Sequence, residues 1–215
     1  MRRPFFTLRR RKRGKRMDTV ITEIVQREWD FFQKVQNEGG RADCQDDPQT
    51  FQIMRRSQFL AWSERARESY LEDLIAAKES GRNLLTEKYA YMMKFTASED
   101  FARIEKLLPP ITEEKERLAE ELAQIHIEWR ISFENRYPRL AGKGRPLRSR
   151  EDTVFRTSFE SYLKGELYTY SEKTLKLCLE DAKMMQEKGE NQSIAIMQNT
   201  VRAYGYRTLE EAEGQ

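Results

Sequence analysis

"TFQIMRRSQFLAWSERARESYLEDLIAAKES", residues 50–80, decides the fold class. Its apolar residues (Phe51, Ile53, Met54, Phe59, Leu60, Trp62, Tyr70, Leu71, Leu74) recur at three- and four-residue spacing, and strand-like alternation persists nowhere in the chain. They lie on more than one face, as in a helix covered on several sides. The stretch is expected as one long central helix ending at Gly81.

The same period extends outward in both directions. A first helix is expected from about Asp18 to Asn37, stopping at Gly39-Gly40. A polar connector follows, with Asp46 or Asp47 as cap and Pro48 in the next first turn. Beyond Gly81, "LLTEKYAYMMKF" reads as a helix after Asn83, and "EDFARIEKLL" as a short one capped by Ser98 and ended by Pro109-Pro110. Thr112 caps a helix to about Tyr137 on a stripe of Leu118, Leu122, Ile125, Trp129 and Phe133. From about Asp152 a long helical pattern runs to Gly189, with Gly165 as a weak point inside it. "SIAIMQNTVRAY" is the last full helix, and "TLEEAE" adds a turn or two. The expected fold is all-α: a single-domain bundle of about six to seven helices around a central one, spanning residues 17–215.

Composition narrows the class. The chain has 215 residues, 38% hydrophobic and 35% charged, with eleven Phe, nine Tyr and three Trp. So many aromatics argue against disorder. Two cysteines make neither a disulfide framework nor a Cys-based zinc site. No apolar run spans a membrane and no secretory signal opens the chain, so a cytoplasmic protein without a membrane partner is expected.

Residues 1–16 carry nine Lys and Arg and no acid. The whole chain is formally +3, so residues 17–215 hold a net −6. Two readings of this basic stretch stand. It is a disordered polycationic arm for nucleic acid or another anionic surface, or it is a mis-called start before Met17, since "RKRGKR" can be written in purine-only codons. On the second reading no nucleic-acid partner is expected.

Glu28 sits mid-stripe on the first helix, among Ile21, Ile24, Val25, Phe31, Phe32 and Val35. Glu166 repeats this among Phe155, Phe159, Tyr162, Leu163, Tyr170 and Leu177. Arg55 lies between Phe51, Phe59 and Trp62. A carboxylate so placed must pair, hydrogen-bond or stay protonated. Both acids are therefore expected to be buried, at least one against an Arg or a Tyr hydroxyl. Glu28, Arg55 and Glu166 either line an interior polar cleft or form a structural ion pair. His126 is the only histidine, with Ala123 three residues before it. A di-iron bundle site, which wants Glu-x-x-His on two helices, and a His-rich zinc site are therefore excluded. No nucleophile-elbow, Cys–His or dinucleotide motif occurs, so no catalytic residue and no cofactor is indicated.

"RYPRLAGKGRPLRSR" (136–150) has six cations and no acid. It is either a solvated basic loop or an anion site built from Arg139, Lys143, Arg145 and Arg148 against the helix expected near Asp152.

Six segments carry a family resemblance: "EWDFFQKVQNEGGRADCQDD", "FQIMRRSQFLAW", "GRNLLTEKYAYMM", "RYPRLAGKGRP", "TSFESYLKGELYTYSEKTL" and "YGYRTLEEAE". From about Met17 onward the chain resembles the bacterial proteins catalogued as domain of unknown function 4125. The resemblance implies a soluble, stand-alone bacterial domain and transfers no site residue; residues 1–16 fall outside its pattern. Two functional classes remain open. One is a protein or enzyme that binds a small anionic or polar ligand in a cleft lined by the interior acids, Arg55 and the basic loop. The other is a non-enzymatic interaction or regulatory module whose buried ion pair only fixes the packing.

Overall fold

The computed structural model describes residues 5–36, 40–153 and 156–215, without the side chains of 5–15. The described residues are helical, with one isolated bridge between Thr153 and Arg156 and no strand. Among the described residues there are eleven α-helices rather than six or seven: α1 Phe5–Phe32, α2 Pro48–Leu60, α3 Glu64–Glu79, α4 Leu84–Thr96, α5 Ser98–Ile104, α6 Glu113–Arg136, α7 Pro138–Gly142, α8 Phe159–Leu167, α9 Glu172–Glu187, α10 Gln192–Ala203 and α11 Leu209–Glu213. None is long and apolar enough to cross a membrane. Of the expected basic arm, residues 1–4 and the side chains of 5–15 lie outside the described residues, as does Phe155 of the Glu166 stripe, while the backbone of residues 5–16 belongs to α1.

Part of the surplus of helices comes from serines, while the short α7 begins at Pro138 without a side-chain cap. The expected central helix is two, broken at Ala61–Ser63, where the Ser63 hydroxyl accepts from the Ala66 N–H and starts α3. Its apolar residues lay on several faces because two helices of different direction share them. The pattern from Asp152 to Gly189 breaks the same way. Ser158 caps α8 through the Ser161 N–H, and Ser171 caps α9 through the Thr174 N–H. Asp47, Asn83 and Thr112 cap α2, α4 and α6 through their side-chain oxygens. Ala97, not Ser98, is the N-cap of α5, and it makes no side-chain cap bond. α1 ends at Phe32, short of Asn37. There the Gln45 amide donates to the Phe32 and Val35 carbonyls, and Asn83 to the Phe31 carbonyl. These bonds add to the backbone turns Lys34 N–H to Phe31 and Val35 N–H to Phe32 that close the helix. Gly81 and Gly205 close α3 and α10 at positive φ, which other residues adopt only with strain.

α1 packs on α2, α3 and α4; α4 packs on α8, α6 on α9, and α10 on α2 and α6. The main core gathers Ile21, Ile24, Phe59, Tyr70, Leu74, Leu122 and Leu175, all at most 2% exposed. A smaller cluster joins Phe133, Tyr137, Val201 and Leu209 at the α6, α7, α10 and α11 end.

Gly165 is a contact point rather than a kink. A Cβ there would lie 2.5 Å from Met92 Cγ, 2.9 Å from the Lys88 carbonyl oxygen and 3.3 Å from the Met92 N. The Met92 side chain can swing aside, but two of these neighbours are backbone. The absent side chain therefore sets how closely α8 approaches α4. Gly165→Ala should lower stability by about 1–3 kcal/mol, as overpacking does. Chemical denaturation checks this, and an unchanged or raised midpoint would contradict the close approach.

Candidate functional site

α1 buries Glu28 completely, and α2 delivers Arg55 to it. Arg55 Nε donates to Oε2 at 2.7 Å and Nη2 to Oε1 at 2.5 Å, the two-pronged geometry that suits a guanidinium and a carboxylate. The same guanidinium donates onward to Glu166 on α8, Nη2 to Oε1 at 3.0 Å and Nη1 to Oε2 at 3.4 Å. Its remaining N–H reaches Gln58 Oε1 at 2.9 Å. All five N–H donors of Arg55 thus have an acceptor.

The acids have further partners. Lys88 Nζ, from α4, donates to Glu166 Oε2 at 2.5 Å. The Tyr70 hydroxyl donates to Glu28 Oε1 and the Tyr170 hydroxyl to Glu166 Oε1, both at 2.8 Å, while Gln58 Nε2 donates to Glu166 Oε1 at 3.1 Å. The Tyr70 and Tyr170 rings pack with centroids 4.8 Å apart. Two carboxylates and two cations make the group formally neutral, and every carboxylate oxygen accepts at least one bond.

Burial alone would raise the Glu166 carboxyl, but Arg55 and Lys88 hold it well below its ordinary range. Burial would lower Arg55, and Glu166 and Glu28 instead raise it well above. Burial pushes Tyr70 and Tyr170 well above the phenol range, helped by the adjacent Glu28 and Glu166 respectively. Both phenols therefore stay protonated and act as donors.

Glu28, Arg55 and Glu166, singled out on three separate stretches, meet in one network. Both acids are buried, and each contacts both Arg55 and a Tyr hydroxyl. The basic loop is placed differently. Arg139 turns toward the C-terminal segment: its backbone N–H donates to Glu213 and its guanidinium to the Gly214 carbonyl. Lys143 is exposed. Arg145 is exposed too and lies over the Tyr162 ring, 4.4 Å from its centroid. Arg148 and Arg150 line a shallow concavity of about 330 Å³ with Ser149 and Glu160. The helix expected near Asp152 begins only at Phe159. A 3₁₀ turn, Ser149–Glu151, precedes Asp152, and Thr153 and Arg156 exchange backbone hydrogen bonds ahead of α8. The α8 end is capped from within, since Asp152 accepts from the Ser158 N–H and the Ser161 hydroxyl, both at 2.5 Å.

A family model described as a protein of unknown function (DUF4125) matches residues 18–214. The chain belongs to the DUF4125 family. Comparison with curated proteins and with solved structures finds no match. The roles of residues in this DUF4125 protein therefore rest on its own geometry.

In that geometry both carboxylates accept charge-assisted bonds, and both phenols are tied to carboxylates. Among the described residues, four of the better-formed surface concavities are lined without Glu28, Arg55 or Glu166. Among the described residues no cluster of three or more His, Cys, Asp or Glu side chains is placed to hold a metal ion. His126 packs edge-on against Trp129, with centroids 5.2 Å apart, and burial pushes its pKa down to about 4 against an opposing pull from Glu166. Sequence reasoning missed Lys88, Gln58, Tyr70 and Tyr170 as network members. For Lys88 the signal was present: Leu84, Leu85, Tyr91 and Met92 flank it at helical spacing, as apolar residues flank Glu28.

Two outcomes follow. Glu28→Ala strands Arg55 and should cost about 3 kcal/mol or more. Glu28→Gln keeps the shape and part of the bonding and should cost less. Equal losses in denaturant unfolding would contradict the network. For His126 the folded group binds its proton only near pH 4, against about 6.5 unfolded. Its contribution is whole above about pH 6.5, declines as pH falls to about 4, and levels off below. The decline amounts to at most about 3 kcal/mol. His126→Gln should remove that part of the acid slope, which unfolding measured at several pH values would reveal.

Proposed function

We propose that this chain is a non-enzymatic binding module that takes a small phosphate-bearing anion on the 143–150 loop, while the interior charges act as a structural lock. The observation that carries this reading is a mismatch of charge at the loop. Among the described residues no acid lies within ion-pair distance of the side chains of Lys143, Arg145, Arg148 or Arg150, although the Arg148 charge acts on Glu160 from farther off. Nearby acids are turned to other donors. Glu151 accepts from the Arg148 backbone N–H, Asp152 from Ser158 and Ser161, and Glu160 from the Ser149 N–H and Lys164. Elsewhere on the surface cations are commonly paired, as Lys94 is with Glu116 and Lys183 with Glu121. Unpaired guanidiniums around a polar concavity suit a phosphate, which they can grip two-pronged.

The test is thermal unfolding with inorganic phosphate, nucleotides and sugar phosphates, for the wild type and an Arg145→Ala, Arg148→Ala double variant. A phosphate-bearing anion at a hundredfold excess over its Kd should raise the wild-type Tm by roughly 5 °C or more. The double variant should lose that rise. No stabilisation by any of them, or equal stabilisation of the variant, would sink the proposal.

A further inference from the structure

The loop and the interior network meet at one ring. Arg145 lies over Tyr162, and so does Lys88, with Nζ 3.6 Å from the ring centroid. Lys88 is 2% exposed, Tyr162 half-buried and Arg145 exposed. An interior cation and a surface cation therefore share one aromatic ring. The neighbourhood continues sideways. Tyr89 is pushed above the phenol range by burial first, then by Tyr162 and Cys44, with Arg145 opposing. Arg145 has one further hold on the fold, Nη1 donating to the Thr157 carbonyl at 3.1 Å. From Arg145 inward the contacts are unbroken: Tyr162, Lys88, Glu166, Arg55, Glu28.

Resting on the anion reading above, we propose that Tyr162 is the positioning residue of the loop site and couples its affinity to the charge of the buried network. Stacking on the ring face restricts a long, flexible guanidinium. An anion then meets a donor whose ordering has already been met by folding. The charge beneath the ring also acts through it. With Glu28, Glu166, Arg55 and Lys88 all charged, the network is neutral and neither draws nor repels an anion at Arg145. Removing one interior charge leaves a net charge about a nanometre below the site. At that separation and an intermediate dielectric, the effect on affinity is about threefold. Its sign depends only on which charge was removed.

Calorimetry of the full chain with inorganic pyrophosphate at low salt tests this, with each variant first checked for native helicity by circular dichroism. Tyr162→Phe keeps the ring and should bind within about twofold of wild type. Tyr162→Leu should weaken binding about fivefold by freeing Arg145. Glu166→Gln leaves the network at +1 and should tighten binding about threefold, whereas Lys88→Met leaves it at −1 and should weaken binding by a similar factor. Because each variant is first shown to keep native helicity, the gain in Glu166→Gln decides the matter even if Lys88→Met does not fold. Weaker or unchanged binding by Glu166→Gln, or unaltered binding by Tyr162→Leu, overturns the coupling. If wild type binds pyrophosphate through Arg145 and Arg148 while these interior variants change nothing, the anion site stands without it. If wild type takes up no pyrophosphate, the anion reading falls and the coupling with it.

Discussion

A guanidinium has five N–H donors, and in Arg55 all five are spent inside the protein on residues from three helices. Removing so many charged groups from water is expensive, and the return comes only when each finds its partner at good distance. The geometry of α1, α2, α4 and α8 is bound to that requirement. Lys88 completes the charge balance, and it reaches Glu166 because Gly165, one residue earlier, lets the backbones of α8 and α4 come close. Buried ion pairs are a poor source of net stability compared with apolar packing. Their value here lies in selecting one arrangement, because a slip of any of the four helices would leave a charge unanswered.

Much of this was legible in the chain. The 3.6-residue period announced an all-helical protein, and a carboxylate centred on an apolar stripe announced a buried, partnered acid. Glu28, Glu166 and Arg55 could be named without coordinates for that reason. What periodicity could not show was where helices break. Ser63, Ser158 and Ser171 interrupt stretches whose apolar spacing continues on both sides, because both halves face the same core. The capping residue is the only mark of the join, and each of the three is a serine. Lys88 was overlooked because an amphipathic lysine stem usually carries its charge out to water. Its partner lies 78 positions away, beyond anything local spacing can reveal. The start of α8 was misplaced because Glu151 and Asp152 look like a helix start, whereas Asp152 folds forward onto the serines that form the real one.

Interior and surface divide the charges differently. In the interior, acids answer cations directly. At the basic loop Glu151, Asp152 and Glu160 accept instead from backbone N–H groups and from a serine hydroxyl. Tyr162 stands where the two regimes touch.

The order in which the network's members occur along the chain bears on synthesis. Glu28, Arg55 and Lys88 all lie within the first 88 residues, whereas Glu166 lies far into the second half. A nascent chain leaving the ribosome has α1 to α4 long before α8. During that interval Arg55 can satisfy Glu28, but Lys88 has no acid in the network to meet and its ammonium belongs in water. The first four helices therefore cannot seal their shared core ahead of the rest. Contacts of such long sequence separation form late, and closure waits on loop entropy rather than on local helix formation. The complete network, with Lys88 answered, therefore needs both halves of the chain in place.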